Sequence, residues 1–188
     1  MRKHLDQYYT EEAITAVLLK QKFVGISGTV IEPCQGNGAI TNVLRGFPPV
    51  TNVVTNDIEP GGHYQGDAGD PGAAVWQHPC DWVVTNPPFL DAPRILPIAL
   101  ERAHIGVAVL LRLSYLEPTQ NRGDWLADHA DQMVRLIVLG QPRPSFTNDG
   151  RHDNVTTAWY IWRKNFSWKR DFGISAPFAF EYGWKGDK

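Results

Sequence analysis

The chain has 188 residues, 43% of them hydrophobic and 20% charged, with a formal net charge of −2. That length fits one domain with a sizeable core, and its 17 Gly and 14 Pro are scattered, which excludes collagen-like and low-complexity classes. No run approaches the roughly 18–20 apolar residues of a membrane span, and the start, Met1-Arg2-Lys3-His4-Leu5-Asp6, is polar, so the expectation is a soluble, cytoplasmic protein without a membrane partner.

Only Cys34 and Cys80 occur, and no Cys/His spacing matches a zinc site. Neither a metal nor a structural disulfide is expected, and the compartment reads as reducing. The charge is unevenly distributed: residues 1–110 hold 7 Lys/Arg against 11 Asp/Glu, and residues 111–188 hold 11 against 9. Between 143 and 170 the cations alternate with Phe146, Trp159, Tyr160, Trp162, Phe166 and Trp168. Such a mixture suits a surface for phosphates and bases, or equally a solvated face beside a core strand.

In chain order, Glu11 to Lys22 reads as a helix, with Ile14, Val17 and Leu18 on one stripe and Thr10 as its cap. Thr29-Val30-Ile31 is a short buried strand running into Glu32-Pro33-Cys34-Gln35-Gly36-Asn37-Gly38, and Ala39 to Leu44 is a helix that Gly46 stops. A second strand spans Val50 to Thr55 and ends at Asn56-Asp57; a weak one spans His63 to Gly66. Asp81 to Thr85 is a strand that the prolines of Asn86-Pro87-Pro88-Phe89 must terminate. Arg94 to His104 is a helix whose start Pro97 delays, and Ile105 to Leu113 is a central strand, apolar on both faces. A helix over Gly123–Ala130 and strands over Val134–Leu139 and Val155–Trp162 complete the series. Strands alternating with helices imply an α/β layered sheet with ligands at the carboxyl ends of its strands.

Position 41 is Thr, where a dinucleotide fingerprint needs a small residue, and the first loop has no Gly-Lys-Ser/Thr. What remains is an acid, Glu32, at the end of a strand before Gly36 and Gly38. A carboxylate there repels pyrophosphate and suits an ammonium group, such as the one on the methionine part of S-adenosylmethionine. Asp57, ending the second strand, can accept from ribose hydroxyls. As plain structural residues, the two would be a capping acid and a turn acid.

Asn86-Pro87-Pro88-Phe89 is the most informative segment. An exocyclic amine on adenine is a poor nucleophile because its lone pair is delocalised into the ring. The Asn86 side-chain carbonyl and a backbone carbonyl exposed by the prolines would grip its two N–H bonds and keep lone-pair density on nitrogen. Phe89 offers a flat face to an extruded base; otherwise it plugs the core. The scheme calls for no metal and no general base.

Glu32 to Gly38 followed later by Asn86-Pro87-Pro88-Phe89 resembles the class I S-adenosylmethionine-dependent methyltransferases acting on amino groups. It is most similar to small phage or prophage N6-adenine DNA methyltransferases of the gamma motif order, over most of residues 6–163. The resemblance implies a Rossmann-like, mostly parallel seven-stranded sheet and S-adenosylmethionine as cofactor. DNA is the implied partner, in a bacterial or phage-infected cell; the alternatives are the same chemistry on RNA adenine or a protein glutamine amide, or a non-catalytic nucleic-acid-binding module on this fold. It also implies that Tyr9 and Thr10, in a segment where Glu11 replaces the usual proline, lie near the methionine carboxylate. It places Glu32, Pro33, Cys34, Gly36, Gly38, Asp57 and Ile58 around the cofactor with Asn86, and Asp67 and Ala68 near its adenine. Asp67 also fits a turn. Arg122, Arg143, Ser145, Phe146 and Arg151 are the implied nucleic-acid contacts; the arginines alternatively support the final strand. The 26 residues after Trp162 are too few for a separate target-recognition domain. Selectivity is then short or supplied by a partner or second copy, and the aromatic tail, 164–188, packs back or serves an interface.

Overall fold

The computed structural model describes residues 10–117, 119–141, 143, 144 and 155–180. Seven strands form one sheet: β1 (Gly28–Glu32), β2 (Val50–Asp57), β3 (Tyr64–Gln65), β4 (Cys80–Thr85), β5 (Ala103–Arg112), β6 (Met133–Val138) and β7 (Thr157–Arg163), in the order β3-β2-β1-β4-β5-β7-β6. β7 runs antiparallel to both its neighbours, and every other pair is parallel. The helices are α1 (Glu12–Leu19), α2 (Ala39–Arg45), α3 (Ala92–Arg102), α4 (Gln120–Asp128) and α5 (Trp168–Phe172). Among the described residues, no helix is long and apolar enough to cross a membrane.

The two faces of the sheet follow the period-two alternation of strand side chains. Val30, Trp82, Val84, Ala108, Leu110, Trp159 and Ile161 face α1 and α2, whereas Ile31, Val83, Val107, Val109, Leu111, Tyr160 and Trp162 face α3 and α4. Both layers are therefore built from the same strands, and the central strands lack a polar face because they have no solvent side. Gly106 sits where β5 is squeezed between two tryptophans. A Cβ there would stand 2.3 Å from the Trp162 carbonyl oxygen and 3.0 Å from the Trp82 ring.

Several boundaries differ from the sequence reading. Thr10 does not cap α1; the N-cap is Glu11, which makes no side-chain cap bond, and the helix ends at Leu19. α3 starts at Ala92, earlier than Arg94, because Pro93 occupies the first turn, where a missing N–H does no harm; Pro97 lies inside the helix and does not delay it. His104 belongs to β5. α4 begins at Gln120, so Gly123 is within it. Gly46 ends α2 with an ordinary φ of −82°. The tail contributes α5, whose N-cap Ser167 accepts from the Arg170 amide and whose end turns at Gly173 with φ of 69°. The Trp168 indole donates to the Met133 carbonyl at 2.9 Å, and Phe178 and Phe180 pack against the α3-side core. That part of the tail folds back on the domain. Tyr9, Ser145, Phe146 and Arg151 lie outside the described residues.

Gly106→Ala is expected to destabilise the fold by about 1–3 kcal/mol, since its neighbours are backbone and rigid rings that cannot move aside cheaply. Urea unfolding checks it: the midpoint falls with an unchanged slope.

Candidate functional site

β1 and β4 are adjacent and parallel, yet the chain leaves them toward opposite halves of the sheet. Such a reversal opens a crevice beyond the carboxyl ends of the two strands. Glu32 ends β1 and Asn86 follows β4, so the two motifs singled out in the sequence share this crevice. Asp57 ends β2 beside them.

The loop after β1 is held from both sides. Gly36 and Gly38 have φ of 53° and 79°, the left-handed region that favours glycine, and a Cβ at either would meet no atom within 4 Å. The loop therefore presents bare backbone to open space. Asp57 accepts from the Gly36 amide at 2.7 Å and from the Glu59 amide at 3.0 Å, so it both shapes the loop and fixes its own carboxylate. The Gln35 amide donates to the Asn56 carbonyl at 2.9 Å. Asn56, which sequence reasoning passed over as the partner of Asp57, is 1% exposed; its side chain donates to the carbonyls of Pro33 and Gly66, at 2.9 and 3.0 Å. It fastens the glycine loop to the far edge of the sheet. Ile58, beyond Asp57, is exposed.

Glu32 is 1% exposed, and its carboxyl accepts from the Thr41 hydroxyl on α2. Burial is the main cause that pushes its pKa up to about 8, with Thr41 opposing it and the Asp57 charge adding to it. A buried acid held short of ionisation is a ready partner for a cation. Cys34 lies beside the Thr85 hydroxyl, and burial pushes its thiol up, so it is an uncharged wall residue with no nucleophilic character. Both cysteines are free.

The Asn86 amide is fixed at one end only. Its Nδ2 donates to Thr10 Oγ1 at 3.0 Å, whereas its Oδ1 is buried and has no hydrogen-bond partner among the described residues. The Pro88 carbonyl accepts from the Asp91 and Ala92 amides at 2.9 and 3.0 Å and so launches α3. The Pro87 carbonyl, next to Asn86 in the chain, has no such partner among the described residues. Phe89 is half-buried against the α3-side core, with the Arg112 guanidinium 4.6 Å from its ring centroid. Arg112, at the end of β5, was not singled out in the sequence; its only signal is being the first cation after the apolar run.

Asp67 accepts from the Gly69 amide at 2.8 Å, which closes a turn, and pairs with Arg94 at 3.1 Å in an exposed ion pair. The Ala68 carbonyl accepts from the buried Trp76 indole at 3.1 Å. Arg122 lies on α4, where its guanidinium is 4.9 Å from the Tyr115 ring centroid and donates to the Glu117 carbonyl, which ties down its own loop. Arg143 is half-buried.

No protein-family model matches the sequence, and no curated protein is similar to it in sequence. Solved structures share its architecture. A provisionally assigned RNA methyltransferase from Pyrococcus horikoshii superposes with a TM-score of 0.60 at 16% identity, covering 85% of this chain and 88% of that one. The methyltransferase subunit of the type I restriction-modification system from Streptococcus thermophilus gives 0.61 at 16% identity, over 85% of this chain and 45% of that one. A provisionally assigned class I S-adenosylmethionine-dependent methyltransferase from Listeria monocytogenes gives 0.61 at 10% identity, over 93% and 65%. What these proteins have in common with the seven-stranded sheet described above is its architecture: this chain has the class I methyltransferase fold.

Proposed function

We propose that the protein transfers a methyl group from S-adenosylmethionine to the exocyclic N6 amine of adenine in DNA. The observation that carries this reading is the Asn86 amide: one end is tied to Thr10, and its carbonyl oxygen is buried without a partner among the described residues, at the lip of the crevice. A buried acceptor left without a donor costs about 1–3 kcal/mol. An incoming N–H bond recovers that penalty, and the Pro87 carbonyl offers a place for the second N–H.

The residues around the first loop fit the cofactor. Glu32 would meet its ammonium group, the bare backbone at Gly36 and Gly38 would admit close approach, and Asp57 would accept from its ribose. Pro33, Cys34, Ile58 and Ala68 would form the surrounding wall. When bound, S-adenosylmethionine supplies an electrophilic methyl carbon on a sulfonium: the amine lone pair forms the new N–C bond, the C–S pair stays on sulfur, and one N–H proton passes to solvent. The chain's own part is to hold the amine with two acceptors and to steady the base against Phe89. Pre-set acceptors of this kind act without reorganising during the reaction.

DNA is favoured by the cations and aromatics of the second half of the chain, in which Arg122, Arg143 and Arg151 are the proposed phosphate contacts, with Ser145 and Phe146 beside them. The likeness to a type I restriction-modification subunit supports the same choice and the idea of a specificity partner. RNA adenine is the second reading, because the Pyrococcus horikoshii protein that matches over most of both chains is assigned to RNA. Incubation with labelled cofactor and separate DNA, RNA and protein acceptors separates the two. Label is expected in adenine of DNA; label in RNA alone selects the second reading, and label in protein alone ends both.

Asn86→Ala is expected to lower turnover by about 100-fold or more while leaving cofactor affinity within about twofold, since its lost bond is to the acceptor. Initial rates and a cofactor titration on the same preparation check this.

Glu32 yields two further outcomes. With its folded value about 8 and its ordinary value 4.5, the folded protein keeps a proton that the unfolded chain gives up between those pH values. Stability contributed at this site is full below pH 4.5 and falls as pH rises toward 8, by up to about 1.4 kcal/mol per unit. Glu32→Gln is expected to remove that slope, so its advantage over the parent protein grows from pH 5 to pH 8 in urea unfolding. Binding of the ammonium group requires the carboxylate. Between pH 5.5 and 7 cofactor binding should therefore release close to one proton in the parent protein and none in Glu32→Gln, as read by calorimetry in buffers of different ionisation enthalpy.

A further inference from the structure

Thr10 lies 76 residues from Asn86 in the chain, yet its hydroxyl takes up the one hydrogen bond that Asn86 Nδ2 makes among the described residues, at 3.0 Å. It is 8% exposed and directly precedes the cap of α1. That helix is pinned to the sheet by the buried Trp159 indole, which donates to the Ile14 carbonyl at 3.0 Å. The hydroxyl is therefore delivered by a rigid element, and its β-branched side chain is itself stiff about χ1.

This matters because an asparagine amide has two unlike ends on a soft, nearly two-fold torsion. Turned one way, Asn86 offers an acceptor to an amine; turned the other way, it offers N–H against N–H. With the Thr10 hydroxyl on Nδ2, the acceptor end faces the crevice and both ends are satisfied once an amine arrives. The flipped amide would set its N–H against the amine's N–H, while the Thr10 hydroxyl, able to donate or accept, would keep a bond to either end. We infer that Thr10 is a positioning residue for Asn86, anchoring the amide so that its carbonyl oxygen can meet the acceptor amine. The inference rests on the reading of Asn86 given above, and it departs from the expected place of Thr10 at the methionine carboxylate.

The test uses Thr10→Val, which keeps the shape and loses the hydroxyl, together with Thr10→Ser, Asn86→Ala and the Thr10→Val/Asn86→Ala pair; Thr10→Ala stands in if the valine variant does not fold. Rates are measured on adenine-containing single- and double-stranded oligonucleotides, and cofactor affinity by titration. The Asn86 side-chain NH2 signals in the NMR spectrum of the ligand-free protein are identified by their loss in Asn86→Ala. Expected are a ten- to a hundredfold lower kcat (roughly one charge-free hydrogen bond plus lost orientation) in Thr10→Val with cofactor Kd within about twofold, near-parent rates in Thr10→Ser, and no further loss when Thr10→Val is added to Asn86→Ala. The NH2 signals should move in Thr10→Val and stay in Thr10→Ser. A tenfold weaker cofactor Kd with kcat kept at saturation would overturn the inference in favour of a direct cofactor contact. Unmoved NH2 signals, or losses that multiply in the double variant, would overturn it as well. Full turnover in Asn86→Ala would instead remove the reading of Asn86 itself, and the Thr10 inference with it.

Discussion

Two parallel strands that lie side by side and part company at their carboxyl ends impose the geometry on which everything else rests. At the level of Ile31 and Val83, β1 and β4 are paired, and one step later neither chain can continue along the other. β1 turns away through two glycines in left-handed conformation; β4 stops because the ring nitrogens of Pro87 and Pro88 have no hydrogen to give a ladder. The two breaks are chemically different and have different products. The first exposes backbone, and the second sets a side-chain amide on a stiff support.

Polarity in the crevice is arranged by burial and hydrogen bonding, with little use of charge pairs. Glu32 is kept in the low-dielectric interior with Thr41 as its hydrogen-bonding side-chain partner, and Asp57 spends its two oxygens on backbone amides. Asn56, buried and doubly donating, takes the place that an ion pair would occupy in a looser design. The exposed pair between Asp67 and Arg94 lies outside this system and contributes little to stability. The arrangement is thus insensitive to salt at its centre, where screening by mobile ions does not reach.

The sheet was legible in the sequence because its strands are buried on both faces and read as continuous apolar runs, as in Val107 to Leu111 and Val83 to Val84. The two loops were legible because glycine and proline act on the backbone locally, without help from distant residues. Helix ends were less so. Pro97 signals a helix break from sequence alone, but the packing of Ile95, Leu96, Ala99 and Leu100 against the sheet outweighs one missing N–H. Thr10 reads in the sequence as a helix cap, which it is not, and its bond to Asn86 is not legible there, since no local pattern reveals a partner 76 residues away. Arg112 was missed for the same cause: its contact with Phe89 exists only once β4 and β5 are paired. The partners of Arg122, the Tyr115 ring and a backbone carbonyl, are likewise invisible in a run of sequence.

The reversed direction of β7 has a further effect. Because it is antiparallel to β5 and β6, Thr157 pairs with Arg112 and Ala158 with Val138, so the chain leaves the sheet after β6 and re-enters it at β7 along one and the same rim. That rim is the one at which Asn86 and Glu32 emerge. The ladders therefore fix both ends of that return, at Val138 and Thr157, on the rim of the crevice, whatever the length of chain that joins them.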